Sequence, residues 1–158
     1  MPAVKIIGCL LVLGAGGLAA FSTVRYERRR ISVLDGWIDL IFYIRTQIDC
    51  YLTPLNEILA GADEELLYAC MGDGHCRELG VILQNCRLYL NPEAHRLLTA
   101  FARELGSSYR EEQVKRCDYY ISSLRSIRDK QMEELPAKIR VGVALCLCAA
   151  LGIAILLW

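Results

Sequence analysis

The sequence predicts an all-α protein, a bundle of about five to six helices between two terminal transmembrane helices. Two charge-free apolar stretches lie at the ends of the chain: Ile6 to Val24 and Val141 to Trp158. Between them, apolar residues recur at steps of three and four, the spacing of a helix face. No alternating strand pattern competes. The chain divides accordingly into a transmembrane helix at 6–24, a helical domain at 25–140 and a transmembrane helix at 141–158.

The average composition hides this division. The 158 residues carry 18 basic and 18 acidic side chains, and 54% are hydrophobic, above the roughly 45–50% of a soluble domain. That excludes a disordered chain, which needs low hydrophobicity and high net charge. Zero net charge argues against nucleic acid as a partner, because such proteins carry a basic excess.

A bilayer span needs about 20 predominantly apolar residues, which both end segments approach. The first could instead be a cleaved signal peptide. However, Ala19-Ala20-Phe21 is a poor cleavage site, and Arg25, Arg28, Arg29 and Arg30 follow at once. Cys9 has too little chain before it for a lipoprotein cysteine. The second segment lacks the polar stripe of a buried core helix and ends in Trp158, an interfacial type of residue. The four arginines on one side, with Lys138 and Arg140 on the other, place the middle domain in the cytoplasm and both termini across the membrane.

In the middle domain the first stripe runs Ile31, Leu34, Ile38, Ile41, Ile48, Leu52, Leu55, Leu59, widened by Trp37 and Ile44 and interrupted by Arg45. The spacing is heptad-like. Thr53-Pro54 marks a helix start, so the stripe covers two helices meeting near 51–53, or one kinked helix. Gly61 closes it and Asp63 caps the next, through Leu66, Leu67 and Cys70. Asp73-Gly74 is a turn signal. A further amphipathic helix carries Leu79, Ile82, Leu83, Cys86 and Leu90. Asn91-Pro92-Glu93 starts another, burying Leu97, Leu98, Phe101 and Leu105, with Gly106 at its end. Ser108 and Glu111 make a capping box for the last helix. That helix sets Val114, Cys117, Ile121, Leu124 and Ile127 on one face, and Pro136 is expected to break or kink it.

No motif for catalysis emerges: there is no P-loop, dinucleotide fingerprint or nucleophile elbow. The predicted catalytic, cofactor-binding and metal-ligating residues are therefore none. Of the eight cysteines, Cys9, Cys146 and Cys148 lie in the spans. Cys50, Cys70, Cys76, Cys86 and Cys117 read as reduced thiols of a cytoplasmic domain. Cys70, His75, Cys76 and Cys86 lack the paired spacing of a structural zinc site, and His75 and His95 sit in no catalytic constellation. Ala15/Ala19, Gly16/Ala20, Cys148/Gly152 and Ala150/Ala154 are small pairs four apart that let another span approach. The run Arg28-Arg29-Arg30 can contact anionic lipid, although its topogenic role already accounts for it.

The residues also carry a family resemblance. Thr53-Pro54-Leu55 follows a helix with Ile48 and Tyr51. Phe101, Leu105, Gly106, Ser107 and Ser108 lead into Glu112-Gln113, and a long charged helix then runs into the final span. In this order and spacing, over essentially its whole length, the chain resembles the stage III sporulation protein AB family. It departs at Tyr109, where the family usually has an acidic residue, and at 131–138, where Pro136 bears on the continuity of the last helix. The family is in turn similar to the cytoplasmic domain of inner-membrane platform proteins of type II secretion and type IV pilus machines.

The resemblance implies a multi-pass protein of the mother-cell membrane facing the forespore, with no catalytic residue. It implies a channel complex as the setting, and a cytoplasmic secretion-type ATPase and other membrane subunits as partners, with a homo-oligomer possible. The residues alone leave another class open, a membrane-anchored helical sensor dimerising through the stripe from Ile31. A membrane enzyme using the Cys/His cluster is the weakest option.

Overall fold

A computed structural model describes the backbone of residues 2–51, 55–70, 78–107 and 109–157, and the side chains of these from 14 onward except 55, 56, 154, 156 and 157. The elements in chain order are α1 (Pro2–Thr46), a π-helical turn (Gln47–Tyr51), α2 (Leu55–Ile58), α3 (Glu64–Ala69), α4 (Leu79–Asn85), α5 (Pro92–Glu104) and α6 (Arg110–Leu157). The protein is all-α, with no strand among the described residues. It divides into two compact units, one of Met1–Arg29 with Met132–Trp158 and one of Arg30–Gln131.

The Arg30–Gln131 unit is a helical bundle around α1. Ile31's stripe is buried at Leu34, Ile38, Ile41 and Ile48, and Trp37 and Ile44 are buried with it. Val33 and Leu40, outside the stripe, are also fully buried. Two adjacent stripes facing inward make this part of α1 the core of the bundle and more than a coiled-coil seam, which would bury one narrow stripe. Packed against it are Leu67 and Cys70 of α3 and its cap, Ile82, Leu83 and Cys86 around α4, Ala94, Leu98 and Phe101 of α5, and Cys117, Ile121, Leu124 and Ile127 of α6. Gly36 permits the contact of α1 with α3: a Cβ there would lie 2.7 Å from the carbonyl carbon and oxygen of Ala69.

The helix ends follow local chemistry. The Asp63 carboxylate accepts from the Glu65 N–H at 3.2 Å, and the Asn91 amide oxygen accepts from the Ala94 N–H at 2.6 Å, with Pro92 in the first turn. Gly61 N–H donates to the Glu57 carbonyl at 2.9 Å and closes α2. Gly106 follows α5 at φ 88°, the left-handed conformation that glycine adopts most readily. The π turn at Gln47–Tyr51 follows α1; of the junction expected near 51–53 only Tyr51 is described, and Leu52, Thr53-Pro54, Asp73-Gly74, Ser108 and Trp158 lie outside the described residues.

The break expected at Pro136 does not occur: the residue lies inside α6, which continues helical to Leu157. The ring removes one backbone donor and crowds the preceding turn, at a cost of about 3 kcal/mol in a helix interior. The 47 other residues of this 48-residue helix hold the segment helical across that defect.

In the other unit, α1 and α6 pack antiparallel. A Cβ on Gly16 would meet the Ala150 Cβ at 2.6 Å, and one on Gly142 would meet the Thr23 Cγ2 at 2.9 Å. Ala20 and Ala150 are buried in this seam, whereas Leu18, Phe21, Leu145, Leu151 and Ile155 are exposed. Gly16, Ala20, Gly142 and Ala150 at the contact let the two helices approach closely, as small residues do between helices packed in lipid, while Ala15, Ala19, Cys148 and Gly152 are exposed. Among the described residues, the Arg110–Ile153 part of α6 is long and apolar enough to cross a membrane by length and composition. The first part of the expected N-terminal span, through residue 13, has side chains outside those described.

Candidate interaction faces and family

Two polar arrangements lie on the surface of the bundle. The first joins the end of α1 to the start of α6. Arg45, the interruption in the apolar stripe, faces Asp118 with Nε at 2.7 Å and Nη2 at 3.4 Å from the two carboxylate oxygens. Its Nη1 is 3.6 Å from Asp49, in the π turn. Arg110 donates to the Asp49 carbonyl oxygen and to its Oδ1, the latter at 3.0 Å. The Asp118 hydrogen bond is the main cause of a raised Arg45 pKa, so the guanidinium stays charged. Tyr51 and Tyr109, adjoining this ladder in sequence, are exposed.

The second arrangement is a groove of about 490 Å³ between α5 and α6, lined by Leu97, Ala100, Glu104, Glu112, Lys115, Arg116, Tyr119 and Tyr120. Glu104 accepts from the Tyr120 hydroxyl at 3.0 Å and from Arg116 at 3.4 Å, and Arg116 reaches Glu112 at 2.8 Å. Tyr120 stands edge-on to Phe101 and to Tyr119, with centroids 5.4 Å apart in both pairs. Burial, reinforced by the Glu104 carboxylate, pushes the Tyr120 hydroxyl up to about 12. It is held as a hydrogen-bond donor.

These groups hold one another in place through hydrogen bonds and ion pairs. Among the described residues no three His, Cys, Asp or Glu side chains gather as a metal site. Cys70, Cys86 and Cys117 are buried, and burial raises all three pKa values, those of Cys86 and Cys117 to about 11. A thiol so raised is neutral and unreactive near pH 7. Cys86 instead serves packing: its Sγ accepts from Trp37 Nε1 at 3.2 Å and donates to the Leu83 carbonyl at 3.3 Å. His95 lies half-buried beside a second groove between α4 and α5. His75 and Cys76, the other members of the metal reading, lie outside the described residues.

The partners of Arg45 and Arg110 are not legible in the sequence, because Asp118 and Asp49 lie 73 and 61 residues away. The available signal was Arg45 itself, a charge in an otherwise apolar stripe, which demands a counter-charge when folded. Glu104, Tyr119 and Tyr120 gave no such signal, because they come together only when α5 docks on α6.

A family model described as stage III sporulation protein AB matches residues 5–70 and 80–158. The chain belongs to that family. The match takes in both apolar ends and nearly all of the bundle, and the family membership makes this a stage III sporulation protein. The stretch between the two matched blocks includes His75 and Cys76 of the metal reading. No curated protein and no solved structure matches the chain.

Proposed function

We propose that this chain is a non-enzymatic platform subunit of a sporulation channel complex. It is held in the mother-cell membrane facing the forespore by two spans, and its cytoplasmic bundle bridges a secretion-type ATPase to other membrane components. The observation that carries the reading is the pairing of the two terminal segments. Gly16 against Ala150 and Thr23 against Gly142 pack them as one hairpin with a lipid-type exterior. A paired hairpin and a bundle with ion-paired faces suit a scaffold.

Membership of a sporulation family supplies the setting, and the likeness of that family to secretion platform domains supplies the partner. The sensor reading has less support, because Leu34, Ile38, Ile41 and Ile48 of the stripe that would dimerise are buried inside the bundle. Co-purification tests the proposal. Full-length protein in mild detergent is expected to retain the secretion-type ATPase of the same sporulating cell. Failure to retain it, under conditions where the membrane partners stay bound, contradicts the bridging role.

A further inference from the structure

We infer that Arg25 and Arg28 of α1, with Arg140 of α6, form a binding site for the phosphate of an anionic phospholipid headgroup. The inference rests on the two-span reading above and adds a ligand to it.

The sequence has two independent charge boundaries, between Val24 and Arg25 and between Arg140 and Val141. Nothing in the sequence requires them to coincide in space. The Thr23–Gly142 contact brings them to one level of the hairpin. At 1.5 Å rise per residue, Arg25 and Arg140 each lie about 3 Å past that level and Arg28 about 7.5 Å past it. A headgroup layer is roughly 5–8 Å deep on each side, the difference between a bilayer of about 40–45 Å and its core of about 30 Å. The three guanidiniums therefore reach the depth of lipid phosphates.

Helical spacing separates the basic and acidic groups. Arg25 and Arg28 are three apart and share one face of α1. Glu27 lies on the face that carries Ala20 and Thr23, which meets α6, and it is half-buried there. Lys138 is engaged by Glu134 at 2.8 Å. Arg29 has an interaction of its own, and Arg30 turns to the Tyr89 carbonyl at 3.4 Å within the bundle. Among the described residues, Arg25, Arg28 and Arg140 are exposed and have no ion-pair partner. A planar guanidinium donates two parallel N–H bonds to a phosphate, which makes it the suited group. A topogenic role requires positive charge near the span and no particular ligand.

Native mass spectrometry of the full-length protein, released from an uncharged detergent, tests the site. Phosphatidylglycerol, phosphatidylcholine and inorganic phosphate are the three probes. Phosphatidylglycerol is expected to bind in preference to phosphatidylcholine, and inorganic phosphate is expected not to displace it at equal concentration. Each Arg→Gln change is expected to weaken phosphatidylglycerol about fivefold, so R25Q/R28Q weakens it about 25-fold and leaves phosphatidylcholine unchanged. R25K/R28K keeps the charge and is expected to recover part of the loss. R87Q, in the bundle, is expected to match the natural protein.

An R25Q/R28Q variant with undiminished phosphatidylglycerol preference overturns the site, as does displacement by inorganic phosphate. Alkaline carbonate extraction of the natural protein separates the two readings. Retention in the membrane with no lipid preference removes the lipid site alone, and release from the membrane removes both.

Discussion

Gly36 shows how one missing Cβ decides packing. Alanine is the better helix former by about 1 kcal/mol, yet a Cβ at Gly36 would press on the backbone of Ala69 at 2.7 Å. Overpacking against backbone costs about 1–3 kcal/mol. G36A is therefore expected to lower the thermal midpoint of the full chain in detergent. A Cβ at Gly80 would meet nothing nearer than the Glu78 Oε1 at 4.0 Å, so G80A is expected to hold or raise it; equal midpoints for the two variants would contradict the close α1–α3 approach. The buried thiols make a second residue-scale prediction. Burial raises Cys86 and Cys117 from 9.0 to about 11. Their neutral forms are favoured by folding, so this contribution is complete below pH 9, where folded and unfolded chains both hold the proton. Between pH 9 and about 11 the unfolded chain loses its protons first, and stability falls as pH rises. Unfolding midpoints across this interval check the sign. At neutral pH a water-soluble maleimide is expected to label exposed Cys50 and to spare Cys70, Cys86 and Cys117.

At the scale of elements, caps and seams set stability. Asn91 satisfies an otherwise unpaired N–H at the start of α5, so N91A is expected to cost about 1 kcal/mol. Pro136 interrupts the hydrogen bonding of α6 while the helix continues. P136A restores a donor and is expected to raise helical stability, read as a higher thermal midpoint by circular dichroism. G16L is expected to destabilise the hairpin by its clash with Ala150, while G14L, with nothing within 4 Å, is expected to leave it intact.

These elements also show what is legible in a sequence. Asp63, Asn91-Pro92 and Gly106 act through neighbours a few residues away, so their roles can be read directly. The burial of Val33 and Leu40 could not be read from the Ile31 stripe, because it depends on how many helices surround α1. The same holds for Gly36 and for the Glu104–Arg116–Tyr120 cluster, which distant segments complete. At Pro136 the local penalty does not end the helix, because α6 continues on both sides of it.

For the whole molecule, the charge pattern predicts two apolar ends and a charged middle at 25–140, while the compact units are Met1–Arg29 with Met132–Trp158 and Arg30–Gln131. What the charge pattern did not contain was the pairing of the ends, which depends on the Gly16–Ala150 and Thr23–Gly142 contacts. That pairing underlies both the platform proposal and the lipid site. Its most direct test is the location of the C-terminus. A reporter enzyme active only outside the cytoplasm, fused after Trp158 of the full chain, is expected to be active, with a matched fusion in the 30–131 bundle inactive. Activity of the Trp158 fusion confined to the cytoplasm would contradict two spans with the bundle inside.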